Sequence, residues 1–290
     1  MVHKQYSGLS SGEGAPMTLA GMVVASLMLV GPAVGFAQEP APLPLWEFGV
    51  FGMAVSQQVY PGASQQLQRN LLLPYVVYRG EWFRVDRSGV ELRKSLGPNV
   101  ELDLGLAAAF GASSDDVEAR QGMPDLGTFV EFGPRIRWTL HEGADHGRLR
   151  AVLGLRGVLD VTDHLRDKGM VLEPQLAYER RTSGGLHYSA SAGLLIGDER
   201  LADTLYGVAP RYATPTRNSY AAKGGLIASR ISLYVSKPLA PGLRIAGGAR
   251  MDSVAGAANQ DSPLVQKTTG ATVGLWLTYT LGKSEILVRD

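Results

Sequence analysis

The chain has no cysteine among its 290 residues, which excludes disulfide frameworks, thiolate metal sites and cysteine nucleophiles together. It has no basic excess either: 28 Lys and Arg against 27 Asp and Glu leave a formal charge of +1, which argues against nucleic acid as a partner. Beyond residue 34 it has no run of 18 uninterrupted apolar residues, so any crossing of a membrane by the rest of the chain must use strands rather than helices. Glycine, by contrast, is abundant. The 36 glycines follow no collagen-like period, so they suit turns and close-packed strands and serve helices poorly. An apolar share of 45% is enough to bury a sizeable core.

The one long apolar run lies at the start. Residues 17–34, MTLAGMVVASLMLVGPAV, follow Lys4 and precede Gly35-Phe36-Ala37, which puts small residues at the −3 and −1 positions of a cleavage site. The expected division is a signal peptide over 1–37 and a mature domain over 38–290. A single membrane anchor is the rival reading. Gly31 and Pro32 break the run, and no basic stop-transfer cluster follows, so the signal peptide is favoured.

The mature chain alternates with period 2. In VELDLGLAAAF, residues 100–110, Val100, Leu102, Leu104, Leu106, Ala108 and Phe110 share one face, and Glu101, Asp103, Gly105, Ala107 and Ala109 share the other. Segments 128–140, 149–161 and 271–281 repeat the pattern, with charge and glycine opposite Val, Ile, Leu and aromatics. Such strands reach about 10 residues, longer than the usual 5 to 6 of soluble sheets and matched to a tilted membrane crossing.

A soluble barrel alternates too, with its apolar face inward. Two features favour the membrane sense. The polar faces mix charge with glycine, as a narrow wet lumen tolerates, and Trp138, Tyr178 and Tyr279 recur near strand ends like an interfacial girdle. The expected fold is an all-β, antiparallel transmembrane barrel of about twelve strands, near 46–56, 70–78, 81–86, 90–96, 100–110, 127–140, 149–161, 170–181, 185–197, 224–237, 243–252 and 270–281. With the chain starting in the periplasm, most odd-to-even connections are long and most even-to-odd ones short, as such barrels require. The exceptions are 87–89 and 141–148.

On this register Glu101, Asp103, Glu131, Arg135, Arg137, Arg150, Arg156, Asp160, Glu173, Glu179, Arg230, Arg244 and Arg250 face the lumen. In a narrow barrel they would pair and plug it; in a wide one they would line a pore. Twelve strands lie between filled small barrels and open porins, and a largely plugged lumen is favoured.

The longer connections carry recognisable words. Tyr60-Pro61-Gly62, then Pro74, Tyr78, Arg79 and Gly80, later Tyr206-Gly207-Val208, and finally Asp261-Ser262-Pro263-Leu264-Val265 occur in an order that resembles the MipA/OmpV family of outer-membrane proteins. The resemblance covers most of the mature chain. It implies an outer-membrane barrel among lipid and lipopolysaccharide. It also implies a structural role that brings a murein transglycosylase, MltA, to a penicillin-binding protein, while other relatives are regarded as adhesins or antigens. One departure stands out: the last strand ends near Leu281 and is followed by GKSEILVRD, without the terminal aromatic residue common in such barrels.

Candidate chemistry is sparse. His187 and Ser189 project to one strand face, as a base and nucleophile would, a word similar to one used by outer-membrane lipid A deacylases. They fall on the polar face, where a lipid-hydrolysing pair would not serve, and no orienting acid can be assigned, so an enzyme is not expected. His141 and His146 in one turn lack a third ligand, and Asp115, Asp116 and Glu118 read as a solvated acidic loop rather than a cation site. No metal and no cofactor are expected.

Overall fold

The computed structural model describes residues 43–79, 84–86, 89–91, 94–143 and 147–288. The expected signal peptide over 1–37, the 81–83 part of one expected strand, and His146 lie outside them. The strands are β1 (Leu43–Pro44), β2 (Trp46–Gln58), β3 (Gln66–Arg79), β4 (Arg84–Asp86), β5 (Gly89–Glu91), β6 (Lys94–Gly97), β7 (Val100–Ala109), β8 (Phe129–Glu142), β9 (Gly147–Asp160), β10 (Arg166–Arg181), β11 (His187–Gly197), β12 (Gly225–Ala240), β13 (Leu243–Ser253), β14 (Thr269–Lys283) and β15 (Leu287–Val288).

All but β1 and β15 join one antiparallel sheet in the order β5-β4-β3-β2-β14-β13-β12-β11-β10-β9-β8-β7-β6. Only residues 92 and 93 separate β5 from β6, so the two ends of that order meet in one stretch of chain. β5 also lies against β7, and the sheet closes into a ring. First and last long strands zip together, with Trp276 opposite Met53 and Tyr279 opposite Val50.

The wall is thin in one place. β4 pairs with β3 only through Tyr78 and Arg79, and β6 reaches only as far as Leu102 of β7. Among the described residues, only the short β4 and β5 lie between β3 and β7, and β5 approaches β7 without pairing with it, which leaves a slot in the ladder. The Arg69 guanidinium spans that slot to the Gly111 carbonyl at 3.4 Å.

Alternation sorts the side chains as the period requires. Leu72, Val76, Ile136, Leu153, Leu176, Leu233, Leu275 and Leu277 stand outward and exposed. An apolar belt of this extent is what a barrel wall presents to lipid and what a soluble monomer avoids. The tryptophans and tyrosines of the belt gather towards one end: Trp46 opposite Tyr78, Trp138 opposite Val100, Tyr178 opposite Leu149, and Tyr279 opposite Val50. This is the end with the short connections, 98–99, 182–186 and 241–242, and we call it the turn end. β1 and β15 pair there, Leu43 with Val288 and Pro44 with Leu287. The segment after Leu281 thus completes β14 and then clasps β1.

The opposite, loop end carries the long connections 59–65, 110–128, 161–165, 198–224 and 254–268. They fold into a cap with its own apolar core, in which Val117, Ala202, Tyr206, Val208, Val254 and Leu264 are buried. One of them holds a helix, α1 (Glu199–Tyr206), that the strand pattern leaves unannounced. Asp198 caps it by accepting the Leu201 N–H at 2.9 Å, and Leu201, Ala202 and Leu205 face inward.

Two local expectations change. Phe110 was expected on the lipid face, but β7 ends at Ala109 and Phe110 turns inward onto the Phe51, Met53, Tyr75 and Val77 cluster. His141 was expected in a turn, but β8 continues to Glu142, with a bulge between Thr139 and His141. A bulge absorbs one residue without ending the pairing, so the strand outlasts its period-2 pattern.

Candidate functional site: the lumen and its cap

The charged side chains named from the sequence stand on the inner face of β7 to β13 and pair across strands. Nearest the turn end, Asp103 accepts from Arg135 at 2.7 Å and lies 3.0 Å from Arg137, its side chain fully buried. Arg150 meets Glu179 at 3.4 Å in the same layer. Closer to the cap runs a ladder of alternating sign. Glu131 accepts from Arg156 at 3.0 Å, Arg156 also donates to Glu173 at 2.6 Å, and Glu173 accepts from Arg230 at 3.1 Å. Arg230 donates to both oxygens of Asp252, at 2.7 and 3.3 Å, and Arg250 lies 3.2 Å from the same carboxylate. Buried charges are tolerated where each has such partners.

Glu101 and Arg244 are half-buried on the same inner face. Asp160 sits apart from the ladder, at the loop end of β9. It accepts from the Thr162 N–H and hydroxyl at 3.0 and 2.6 Å, and Lys168 lies 3.4 Å away.

The remaining arc of the lumen is apolar. Phe51 and Met53 of β2 pack with Tyr75 and Val77 of β3, and Val55, Leu71, Phe110 and Trp276 lie against them. Trp276 lies flat on the wall because Gly248 and Gly274 offer no side chain there: a Cβ at either would come within 3.1 or 3.0 Å of the indole. Tyr234 stacks on the other side of this ring at 5.9 Å. Sequence reasoning missed this arc. The inner faces of β2 and β3 are as apolar as their outer faces, so alternation carries no contrast to find.

Between the two arcs and below the cap lies a cavity of about 350 Å³. Met53, Val55, Phe110 and Trp276 border it on one side, and Glu131, Arg135, Arg156, Glu173, Arg230 and Arg250 on the other.

Tyr60, Pro61, Gly62, Asp261, Ser262 and Pro263 meet in the cap. The Tyr60 hydroxyl donates to the Leu264 carbonyl at 2.8 Å, and the Tyr206 hydroxyl donates to the Pro61 carbonyl at 2.9 Å. The Ser262 hydroxyl donates to the Tyr206 carbonyl at 2.8 Å. The Gly62 carbonyl accepts from the N–H groups of Gln266 and Lys267, and Gly62 itself takes φ 94°, where only glycine is unstrained. Three connections far apart in sequence are thus stitched into one unit. Burial pushes the Tyr60 phenol up to about 12 and raises that of Tyr206 as well; nearby Arg120 acts against the shift at Tyr60. The exposed Asp125 carboxyl is held below its usual range mainly by the Ser114 N–H that it accepts at 2.6 Å.

His187 and Ser189 are buried on the inner face. The His187 ring makes an edge contact with Tyr234 at 5.6 Å, and its Nε2 has no hydrogen-bond partner among the described residues. Asp115, Asp116 and Glu118 sit exposed in two short 3-10 turns. Among the described residues no three His, Asp or Glu side chains group as metal ligands would.

Among solved structures, the chain is similar to the NanC porin, at 8% identity over 80% of this chain and 100% of that one, with a TM-score of 0.38. It is also similar to an outer-membrane channel from Pseudomonas putida F1, at 9% identity over 86% and 100%, with a TM-score of 0.39. A third is outer-membrane phospholipase A from Escherichia coli, at 12% identity over 80% and 93%, with a TM-score of 0.34. Likeness at this level assigns no role. No curated protein sequence matches the chain. A family model does, over residues 50–281, which takes in nearly every strand of the ring and all the loops of the cap. The chain therefore belongs to the MipA family, described as MltA-interacting protein MipA.

Proposed function

We propose that this protein is an outer-membrane barrel that acts as a scaffold, holding a murein transglycosylase, and with it a penicillin-binding protein, at the inner surface of the membrane. The observation that carries the reading is the family match across residues 50–281, joined to an outward apolar belt suited to lipid and lipopolysaccharide. The docking surface is the turn end. The clasp of β1 and β15 and the 182–186 and 241–242 turns lie there, and the chain enters the barrel from that side after its signal peptide is removed. A non-enzymatic role fits the lumen, where the charged side chains pair with each other and the His187 Nε2 has no hydrogen-bond partner among the described residues.

The test uses the absence of native cysteine. Ser183→Cys places a single thiol in an exposed turn-end loop for cross-linking in intact cells. Capture of a murein transglycosylase or synthase is the expected result. A well-inserted barrel that captures none overturns the scaffold reading.

The second reading, a channel for small solutes, rests on the internal cavity. The packed cap argues against free conduction, and planar-bilayer recording without conductance steps ends it. A role in adhesion would place the working surface on the cap's outer face.

A further inference from the structure

We propose that the cavity beneath the cap is a binding site for a small zwitterion with an apolar or aromatic middle. This goes beyond the scaffold reading and does not depend on it.

The argument starts from the ends of the ladder. Along Glu131, Arg156, Glu173, Arg230, Asp252 and Arg250, the three acids and three arginines cancel, so the ladder itself carries no net charge, while Arg135 and Arg137 on the turn-end side of the cavity share Asp103. The four inner members each contact two neighbours of opposite sign. The two end members contact one each, and they are the most exposed side chains of the six: 21% for Glu131 and 38% for Arg250, against 5–17% for those between. Arg250 must moreover share Asp252 with Arg230, which already engages both of its oxygens. The ladder thus finishes in an under-neutralised carboxylate at β8 and an under-neutralised guanidinium at β13.

Those two ends border the same cavity, and Glu131 lies within electrostatic reach of Arg250. Across from the ladder is the apolar arc, with Met53, Val55, Phe110 and the half-buried Trp276. The indole N–H of Trp276 is buried without a partner among the described residues. A ligand whose ammonium pairs with Glu131, whose carboxylate pairs with Arg250 and whose body lies against Met53, Phe110 and the edge of Trp276 completes the ladder and fills the apolar side. A simple anion would satisfy one end only, and a simple cation the other. A cavity of about 350 Å³ holds a molecule of roughly one ring and two short arms, within the range of small-molecule sites.

Calorimetric titration of the full chain in lipid nanodiscs tests this with 4-(aminomethyl)benzoate as the zwitterion, 4-methylbenzoate as its anion-only relative and benzylamine as its cation-only relative. The expected result is saturable binding of the zwitterion about tenfold or more tighter than of either relative. Arg250→Gln is expected to weaken the zwitterion and 4-methylbenzoate and to leave benzylamine unchanged; Glu131→Gln is expected to do the converse. The altered migration of unboiled protein in gels checks that each variant is folded, and where one is not, the three-ligand comparison on the unchanged chain decides alone. No saturable binding, equal affinity for the zwitterion and a singly charged relative, or equal weakening of all three ligands by both variants overturns the proposal.

Discussion

The two arcs of the lumen solve the same packing problem with different chemistry. On β7 to β13 the interior is filled by carboxylates and guanidiniums that each depend on named partners; on β2, β3 and β14 it is filled by Phe51, Met53, Tyr75, Val77 and Trp276, which depend mainly on volume, with the Tyr75 hydroxyl bonded to that of Thr280 at 2.6 Å. A charged arc is specific and brittle, because removing one member strands another charge in a poorly solvated place. An apolar arc is forgiving, because a neighbour of similar size fills the same space. The same barrel therefore holds a wall that fixes register and a wall that tolerates change.

The sharpest way to break this contrast is Asp103→Asn. It removes one carboxylate from two arginines and is expected to cost about 3–5 kcal/mol, read as a large drop in the denaturant midpoint of the detergent-folded barrel. A cost near zero would mean that water reaches Arg135 and Arg137 freely. An intermediate effect is expected where both arcs end, in the cap. Tyr60 is held neutral up to about 12, while an unfolded tyrosine ionises near 10. Its contribution is thus complete below about pH 10 and is lost as the pH rises towards 12, because only the unfolded chain gains by ionising in that interval. The loss should be of the order of 2 kcal/mol, seen as a falling thermal midpoint between those pH values, and Tyr60→Phe should flatten part of that fall. The smallest effect belongs to the apolar arc. Met53→Leu conserves volume and should shift stability by less than about 1.5 kcal/mol; a larger loss would show that this wall, too, is tightly specified.

How far the fold was legible follows the same division. On β7 to β10 and on β12 to β14 an apolar face alternates with charge, hydroxyls or glycine, so both the strands and the inward set Asp103, Glu131, Arg156 and Arg250 could be read from period 2. On β2 and β3, Phe48 and Val50 point out while Phe51 and Met53 point in, and alternation gives no sign of which face is the lumen. The cap was illegible for another reason. Its stitches join residues 56 to 204 positions apart, such as Ser262 with Tyr206, Tyr206 with Pro61 and Tyr60 with Leu264, and no local pattern encodes a contact of that span. Only α1 left a local signature that could have been used. Asp198 stands before an amphipathic turn and Gly207 follows it, a start and a stop within one long connection.

The clasp at the turn end has a consequence for timing. Leu43 and Pro44 pair with Val288 and Leu287, and the Leu45 N–H reaches the Ile286 carbonyl at 2.8 Å, so the residues that precede β2 must wait for a segment that follows β14. Until the C-terminus arrives, the free edge of β2 is an open template. Residues 284–288 thus act as a latch on a seam that β14 has already closed: a chain cut before residue 284 could still present β14 to β2 but would leave Leu43 and Pro44 without their partner strand.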